Sequence, residues 1–189
     1  MGASTILIST ILALGTTALA SAVATATTTN TTATTGLFPS TLNITTLTAH
    51  NNHSVLECWA LQPGYSLTSE AGVSGNAVLN LGPITGNATN ILIPANYDGG
   101  QHNAPALQWV IFLSGVAHIT LPTSGDEAWV TGGKNGAILA LDTREVSAEG
   151  HATTYPSGQM TVAVEVPLSE VPAHRVLHSG ACGEGEVLG

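Results

Sequence analysis

Basic residues are nearly missing from this 189-residue chain, which has only three Lys and Arg residues against twelve Asp and Glu. The net charge is −9 with histidine neutral. Too few cations are present to track a phosphate backbone, so nucleic-acid binding is excluded, and an anionic membrane surface would repel the chain. Charged residues make up only 8% of the sequence, but 43% of residues are hydrophobic, too many for a disordered acidic tail. We expect one compact domain with a polar, mostly uncharged surface and no nucleic-acid or membrane partner.

The chain opens with an apolar stretch, residues 6–19, that carries no charge. It is short for a membrane span, which needs about 20 apolar residues, and no Lys or Arg flanks it. Ala18 and Ala20 stand at the −3 and −1 positions of a cleavage site after Ala20, with a cut after Ala22 as the close alternative. The pattern predicts a signal peptide over residues 1–20 and a secreted, extracellular protein, in preference to an uncleaved membrane anchor.

Secretion bears on the two cysteines, Cys58 and Cys182. In an oxidising compartment an even pair predicts one disulfide, which would join the first part of the domain to the C-terminal segment. Two buried free thiols are the alternative. The same compartment permits N-glycosylation. The predicted glycosylation sites are the sequons at Asn30, Asn43, Asn52 and Asn87.

From Leu37 onward the sequence has the signals of β-strands. Short runs rich in Val, Ile and Leu alternate with Gly, Pro and Asn clusters, and no window has a sustained helical stripe. Many short strands predict a sandwich or barrel. We expect a flexible Thr/Ala-rich leader over residues 21–36, a single β domain over 37–182 and a flexible tail over 183–189. The predicted strands are 41–48, 54–61, 77–81, 90–93, 106–113, 116–121, 137–142 and 160–166.

The clearest strand pair begins at Gln108 and turns at a Ser-Gly step. Strand alternation places Gln108, Val110 and Phe112 on one face and Trp109 on the other, with His118 in the return strand. The sequence does not say which face is inside. We therefore take Val110, Phe112, Trp109 and His118 as candidate substrate contacts.

The segment that begins at His102 resembles the first motif of the cupins. That motif contains, at fixed spacing, a glycine, two histidines separated by one residue, a glutamate and a second glycine. His102 stands at the first histidine and Gly115 at the closing glycine, whereas Ala104 replaces the second histidine and Gln108 replaces the glutamate. Residues 102–115 are also similar to a set of fungal small secreted proteins described as cupin-like.

The second cupin motif is less complete. Gly136 stands at its glycine and Asp142 replaces its proline. After a short insertion, His151 and Tyr155 stand at the positions of its histidine and asparagine. The resemblance covers roughly residues 55–182.

The resemblance implies a single-domain jelly-roll β-barrel. A cupin metal site uses three histidines and a glutamate, so Ala104 and Gln108 remove two ligands here, and we expect no metal or other cofactor. His102, Gln108 and His151 are the weak metal candidates that remain. His102 and His151 are the predicted acid/base residues, with Gln108 and Tyr155 orienting a ligand in a mostly apolar pocket.

Three functions stay open. The first is metal-free binding of a small apolar or aromatic metabolite, with isomerisation, cyclisation or lysis as the catalytic version. The second is a metal-dependent cupin oxygenase or isomerase, and the third is a non-catalytic secreted binding or effector-like protein.

None of the three basic residues falls in the predicted pocket strands, so we expect an uncharged or weakly acidic ligand. A barrel filled by its own side chains is the alternative to a pocket, and both monomer and homodimer remain open.

Overall fold

The structure, a computed structural model, describes residues 1–2 and 38–188. The predicted signal peptide apart from its first two residues, the Thr/Ala-rich leader and the sequon at Asn30 lie outside the described residues. Residues 38–188 belong to one compact unit. The strands are β1 Asn43–His50, β2 His53–Leu61, β3 Ser66–Leu67, β4 Ala77–Val78, β5 Thr89–Ile93, β6 Tyr97–His102, β7 Gln108–Ser114, β8 Val116–Thr120, β9 Glu127–Thr131, β10 Ala137–Ala140, β11 His151–Tyr155, β12 Thr161–Pro167 and β13 His174–Ser179.

The strands form two main sheets in a sandwich-like arrangement. The larger sheet has the order β13-β2-β1-β10-β7-β12-β5, and the smaller has the order β6-β11-β8-β9. β3 and β4 form a separate short hairpin. The all-β prediction is confirmed, because the described residues contain strands and no helix. The order is consistent with a jelly roll, although the described strands form no closed barrel. No described segment forms a helix long and apolar enough to cross a membrane.

The central strands of the larger sheet are covered on both faces, and this explains their apolar sequences. On β7, Phe112 packs into the core between the two sheets together with Leu47 of β1. Trp109 points the other way, into a second core on the outer face of the larger sheet, where Ile44 also packs. Strands covered on both faces have nearly continuous apolar sequences.

Each of the eight predicted strands overlaps an observed one. Five further strands, β3, β6, β9, β11 and β13, were not predicted, because each has at most three consecutive apolar residues. At the start of β9, the adjacent carboxylates Asp126 and Glu127 after a Thr-Ser-Gly sequence predict a solvated turn at both positions. Only Asp126 lies in the loop, and Glu127 begins β9.

The predicted disulfide is confirmed, since Cys58 of β2 is bonded to Cys182 with 4.7 Å between the Cα atoms. The tail beyond residue 182, predicted to be flexible, is bonded to the sheet over its described part. Asn43 donates from Nδ2 to the carbonyl of Glu186 at 2.6 Å, and its backbone N–H donates to the carbonyl of Val187 at 3.0 Å.

The buried position of Asn43 also bears on the glycosylation predicted at this residue. Its side chain is 7% exposed and bonded through both amide atoms, with Thr41 Oγ1 donating to Oδ1 at 3.0 Å. A glycan at Asn43 therefore does not fit this fold. Asn52 and Asn87 are exposed, and glycosylation of both stays a prediction.

Candidate functional site

A cavity of about 350 Å³ borders the core between the two sheets. Its walls include Val110 and Phe112, two of the predicted ligand contacts. All four predicted catalytic residues line it as well. The polar side chains of its wall include His102, Gln108, His151, Thr153, Tyr155 and Glu165.

His151 is held by a buried carboxylate. Its Nδ1–H donates to Oδ2 of Asp142 at 2.7 Å. Asp142 is fully buried and His151 is 5% exposed. The other ring nitrogen, Nε2, makes no hydrogen bond with any described residue. In this tautomer Nε2 carries the lone pair, so it can accept a proton from a molecule in the cavity.

A hydrogen-bond network fixes the position of Asp142. Ser54 Oγ donates to Oδ2 at 2.7 Å and lies 2.8 Å from Ser147 Oγ, which accepts from the backbone N–H of Gly150 at 3.0 Å. Asn103 Nδ2 donates to the backbone carbonyl of Asp142 at 3.0 Å. The network spans three separate segments of the chain, so His151 is positioned by tertiary structure.

His102 lies opposite His151 across the β6–β11 pair. The ring centroids are 4.5 Å apart with 58° between the planes. Nδ1 of His102 donates to the carbonyl of Gly100 at 3.0 Å, which leaves its Nε2 as the acceptor nitrogen. The site therefore contains two imidazoles in the same tautomer, side by side.

Gly150 allows this close approach. Its φ is +68°, in the left-handed region that favours glycine, and a Cβ there would overlap the backbone carbonyl of His102. The backbone of the segment before β11 thus lies against the end of β6. This contact sets the spacing of the two histidines.

Gln108 has an unusual environment for an amide. Gln108 is 4% exposed and lines the cavity, and its side-chain amide makes no hydrogen bond with any described residue. A buried amide costs free energy unless it is hydrogen-bonded. Its partners must therefore come from the cavity.

Two functional residues were not identified from the sequence. Asp142 is the last residue of the predicted strand 137–142, and a carboxylate at the end of an apolar strand was the available signal. Glu165 lies on β12 two residues after Ala163, which is 2% exposed in the inter-sheet core, so strand alternation turns Glu165 inward. Glu165 lines the cavity near Tyr155. The pKa of Tyr155 is raised by burial first, then by the negative charge of Glu165 and by Tyr97.

This environment gives a testable titration. We expect the tyrosinate absorbance of Tyr155 to appear above the ordinary tyrosine pKa of 10.0, and Glu165→Gln to lower that pKa. Removing a nearby negative charge makes loss of the phenolic proton easier, whereas the burial of the ring is unchanged. Ultraviolet titration of the wild type, Glu165→Gln and Tyr155→Phe measures the step and assigns it. An unchanged pKa in Glu165→Gln would show that the carboxylate does not face the phenol.

Two predicted substrate contacts lie elsewhere. Trp109 is buried on the opposite face of β7 from the cavity, with Nε1–H donating to the carbonyl of Leu81 at 2.8 Å. His118 points out of the smaller sheet, where its ring stacks on Trp129 at 3.9 Å and Nε2 lies 2.7 Å from Glu127 Oε2. Neither residue lines the cavity, so neither is in a position to contact a ligand there as the sequence predicted.

The donors around the histidine pair fit a tightly held metal poorly. Ala104 is buried beside the site and offers no ligand. Within the described residues, the one group of three His, Cys or carboxylate donors close enough to share an ion is Cys58, His178 and Glu186. Cys58 is in the disulfide and is not free to bind. The third ligand to His102 and His151 that the cupin resemblance offers is the neutral amide of Gln108, a weaker donor than the carboxylate or third histidine of a catalytic zinc site.

Comparison with known proteins identifies no relative. No protein-family model matches the chain, and no curated protein matches it either. The molecule is defined here by its fold and its site. It is an all-β, disulfide-linked sandwich with a cavity that contains a paired histidine and carboxylate.

Proposed function

We propose that this protein binds a small, mostly apolar or aromatic metabolite in the cavity, and that His102 and His151 exchange protons with it in a metal-free, non-redox step. The observation that supports catalysis best is the Asp142–His151 hydrogen bond at 2.7 Å, with the ring of His102 4.5 Å from that of His151. We also propose that the chain is a secreted, cupin-like glycoprotein. A disulfide is compatible with an oxidising compartment.

The step would proceed as a proton transfer on the ligand. Nε2 of His151 takes a proton from a carbon next to a carbonyl, and the C–H electron pair moves toward the carbonyl oxygen. Gln108 and Tyr155 donate hydrogen bonds to that oxygen. Protonated His151 returns the proton to another atom of the ligand, either directly or by first passing it to Nε2 of His102, whose ring centroid is 4.5 Å away. Isomerisation, cyclisation and elimination all begin in this way, and none needs an oxidant.

Each residue has a separate task in this scheme. Asp142 keeps the lone pair of His151 on Nε2 and stabilises the imidazolium once the proton has moved. The apolar wall formed by Val110 and Phe112 keeps water away from the reacting carbon. Gln108 supplies an amide that has no protein partner to compete with the ligand.

Two other functions are distinguished by experiment. The unpaired amide of Gln108 supports ligand binding whether or not catalysis follows, so a non-catalytic binding protein is the second candidate. A metal-dependent enzyme is the third. Addition of each divalent metal to chelator-treated protein separates it from the other two, since only this candidate requires an increase in activity.

Hydrogen–deuterium exchange tests the catalytic step without knowledge of the natural substrate. In deuterium oxide, we expect the protein to accelerate exchange at the acidic C–H of simple aromatic ketones such as phenylacetone. His151→Ala should lower the rate about 10²- to 10⁴-fold, the usual contribution of a general base. Proton NMR measures the exchange.

His53→Ala is the matched control, because His53 is an exposed histidine at the start of β2. Its exchange rate should equal that of the wild type. Equal rates in His151→Ala and the wild type would contradict the catalytic proposal. Bound ketone with no accelerated exchange would leave the binding protein as the function.

A further inference from the structure

A second cavity, which we call the second lobe, shares five lining residues with the first and has a different character. This lobe, about 240 Å³, shares Phe112, Tyr155 and Glu165 with the first lobe and adds Tyr97. The ring centroids of Tyr97 and Tyr155 are 6.2 Å apart, and those of Phe112 and Tyr155 are 6.4 Å apart. We name these three rings together with Glu165 the aromatic end of the cavity.

The charge of this end is negative. Glu165 lines both lobes. All three Lys and Arg residues of the chain are described, and none lines either lobe. Lys134 lines a separate cavity, Arg144 donates to Asn103 Oδ1 at 3.4 Å, and Arg175 lies on β13. No fixed positive charge is therefore available to neutralise Glu165 from the cavity wall.

Aromatic rings beside a carboxylate favour a cationic ligand. The face of an aromatic ring is electron-rich, and a cation within about 6 Å of the ring centroid is attracted to it, more strongly when water is excluded. The net charge of −9 adds long-range attraction for cations and repulsion for anions. The aromatic rings and the net negative charge therefore both favour a cationic ligand.

We propose that the aromatic end binds an organic ammonium group, so that the ligand is an amphipathic amine. The proposal rests on the proposed function for the other end of the ligand, which reaches the histidine pair. His102 lines both lobes, so a ligand bound at the aromatic end lies next to one of the two histidines. An amine replaces the uncharged or weakly acidic ligand expected from the sequence, because that expectation considered only the missing Lys and Arg and not a carboxylate in the pocket.

The surroundings also favour a methylated amine over a primary one. A primary ammonium carries three N–H donors, each of which needs an acceptor. The side-chain acceptors of the lobe are Glu165, His102 and the two tyrosine hydroxyls, and the rest of its wall is mostly apolar, with Ile91, Ile93 and Ala163. A tertiary or quaternary ammonium requires few hydrogen bonds and presents methyl groups to the rings.

Choline and its neutral carbon isostere, in which a tert-butyl group replaces the trimethylammonium group, test this inference as a matched pair. By calorimetry, choline should bind the wild type about tenfold more tightly than the isostere. Glu165→Gln should remove most of that preference. Glu170→Gln, the same change at an exposed glutamate of the loop after β12, should retain it.

Tyr97→Ala provides a second variant that does not depend on a buried position, since Tyr97 is 49% exposed. It should weaken choline binding severalfold with the fold intact. Equal affinities for choline and the isostere, or a preference that Glu165→Gln leaves unchanged, would overturn the inference. The proposed function has a separate readout. Loss of choline preference with ketone exchange retained rejects only the amine, and choline binding without exchange rejects only the catalysis.

Discussion

Asp142→Ala is expected to lower the free energy of unfolding by about 3 kcal/mol, because it leaves buried polar groups without their acceptor. Ser54 and His151 both donate to Oδ2 at 2.7 Å, and Asp142 is fully buried. Chemical denaturation measures the change. Asp126→Ala is the control, since Asp126 is exposed in a loop and should shift stability by less than about 0.5 kcal/mol. Comparable stability losses in the two variants would contradict the role of the network.

The Asp142→Asn variant tests the effect of Asp142 on the protonation of His151 apart from its contribution to the stability of the fold. Asparagine keeps the shape of the side chain, so most of the stability should return. Its amide can also donate to Nδ1 of His151, which would move the ring proton to Nε2. Nitrogen NMR of the imidazole should report that change of tautomer, and exchange of the aromatic ketone should fall with it. An unchanged tautomer with full exchange would show that Asp142 only supports the fold.

Replacing both cysteines by serine is expected to lower the free energy of unfolding by about 4 kcal/mol. The bond between Cys58 and Cys182 closes a loop with a sequence separation of 124, and in the chain-entropy model a longer loop restricts the unfolded chain more. Denaturant titration of the double variant against the oxidised wild type measures the loss.

Reduction of the wild type offers an independent check, since it should reproduce the stability of the double variant. The hydrogen bonds from Asn43 to Glu186 and Val187 hold the tail in the folded state only, so they do not replace the covalent restriction of the unfolded chain. A loss below about 1 kcal/mol would show that the unfolded chain is already restricted near these two positions.

The all-β class was predictable because strand formation leaves a local signal. Val110 and Phe112 alternate with Trp109, and the turn at Gly115 separates two apolar strands, so the β7–β8 hairpin follows from adjacent residues. Strand β6 gave no such signal, since its sequence Tyr97–His102 contains two glycines and no aliphatic residue. It forms because β11 pairs with it.

The site was predictable in its histidines and not in its carboxylates. His102 and His151 were identified by the resemblance to a known motif. Asp142 stands where that motif has a proline, and no local pattern says that its side chain meets Ser54, which is 88 positions away in the chain. Glu165 on β12 likewise becomes part of the site only when β12 pairs with β7, and this long-range pairing has no local signature.

Gly150 has a consequence for proteins that descend from the same ancestor. With any larger residue there, the backbone would have to move away from the carbonyl of His102, and the two imidazoles would separate even though both were retained. A descendant with both histidines and alanine in place of Gly150 should therefore have lost the shared proton-transfer geometry. Gly150 is therefore as necessary to the geometry of this site as the two histidines, although it has no reactive side chain.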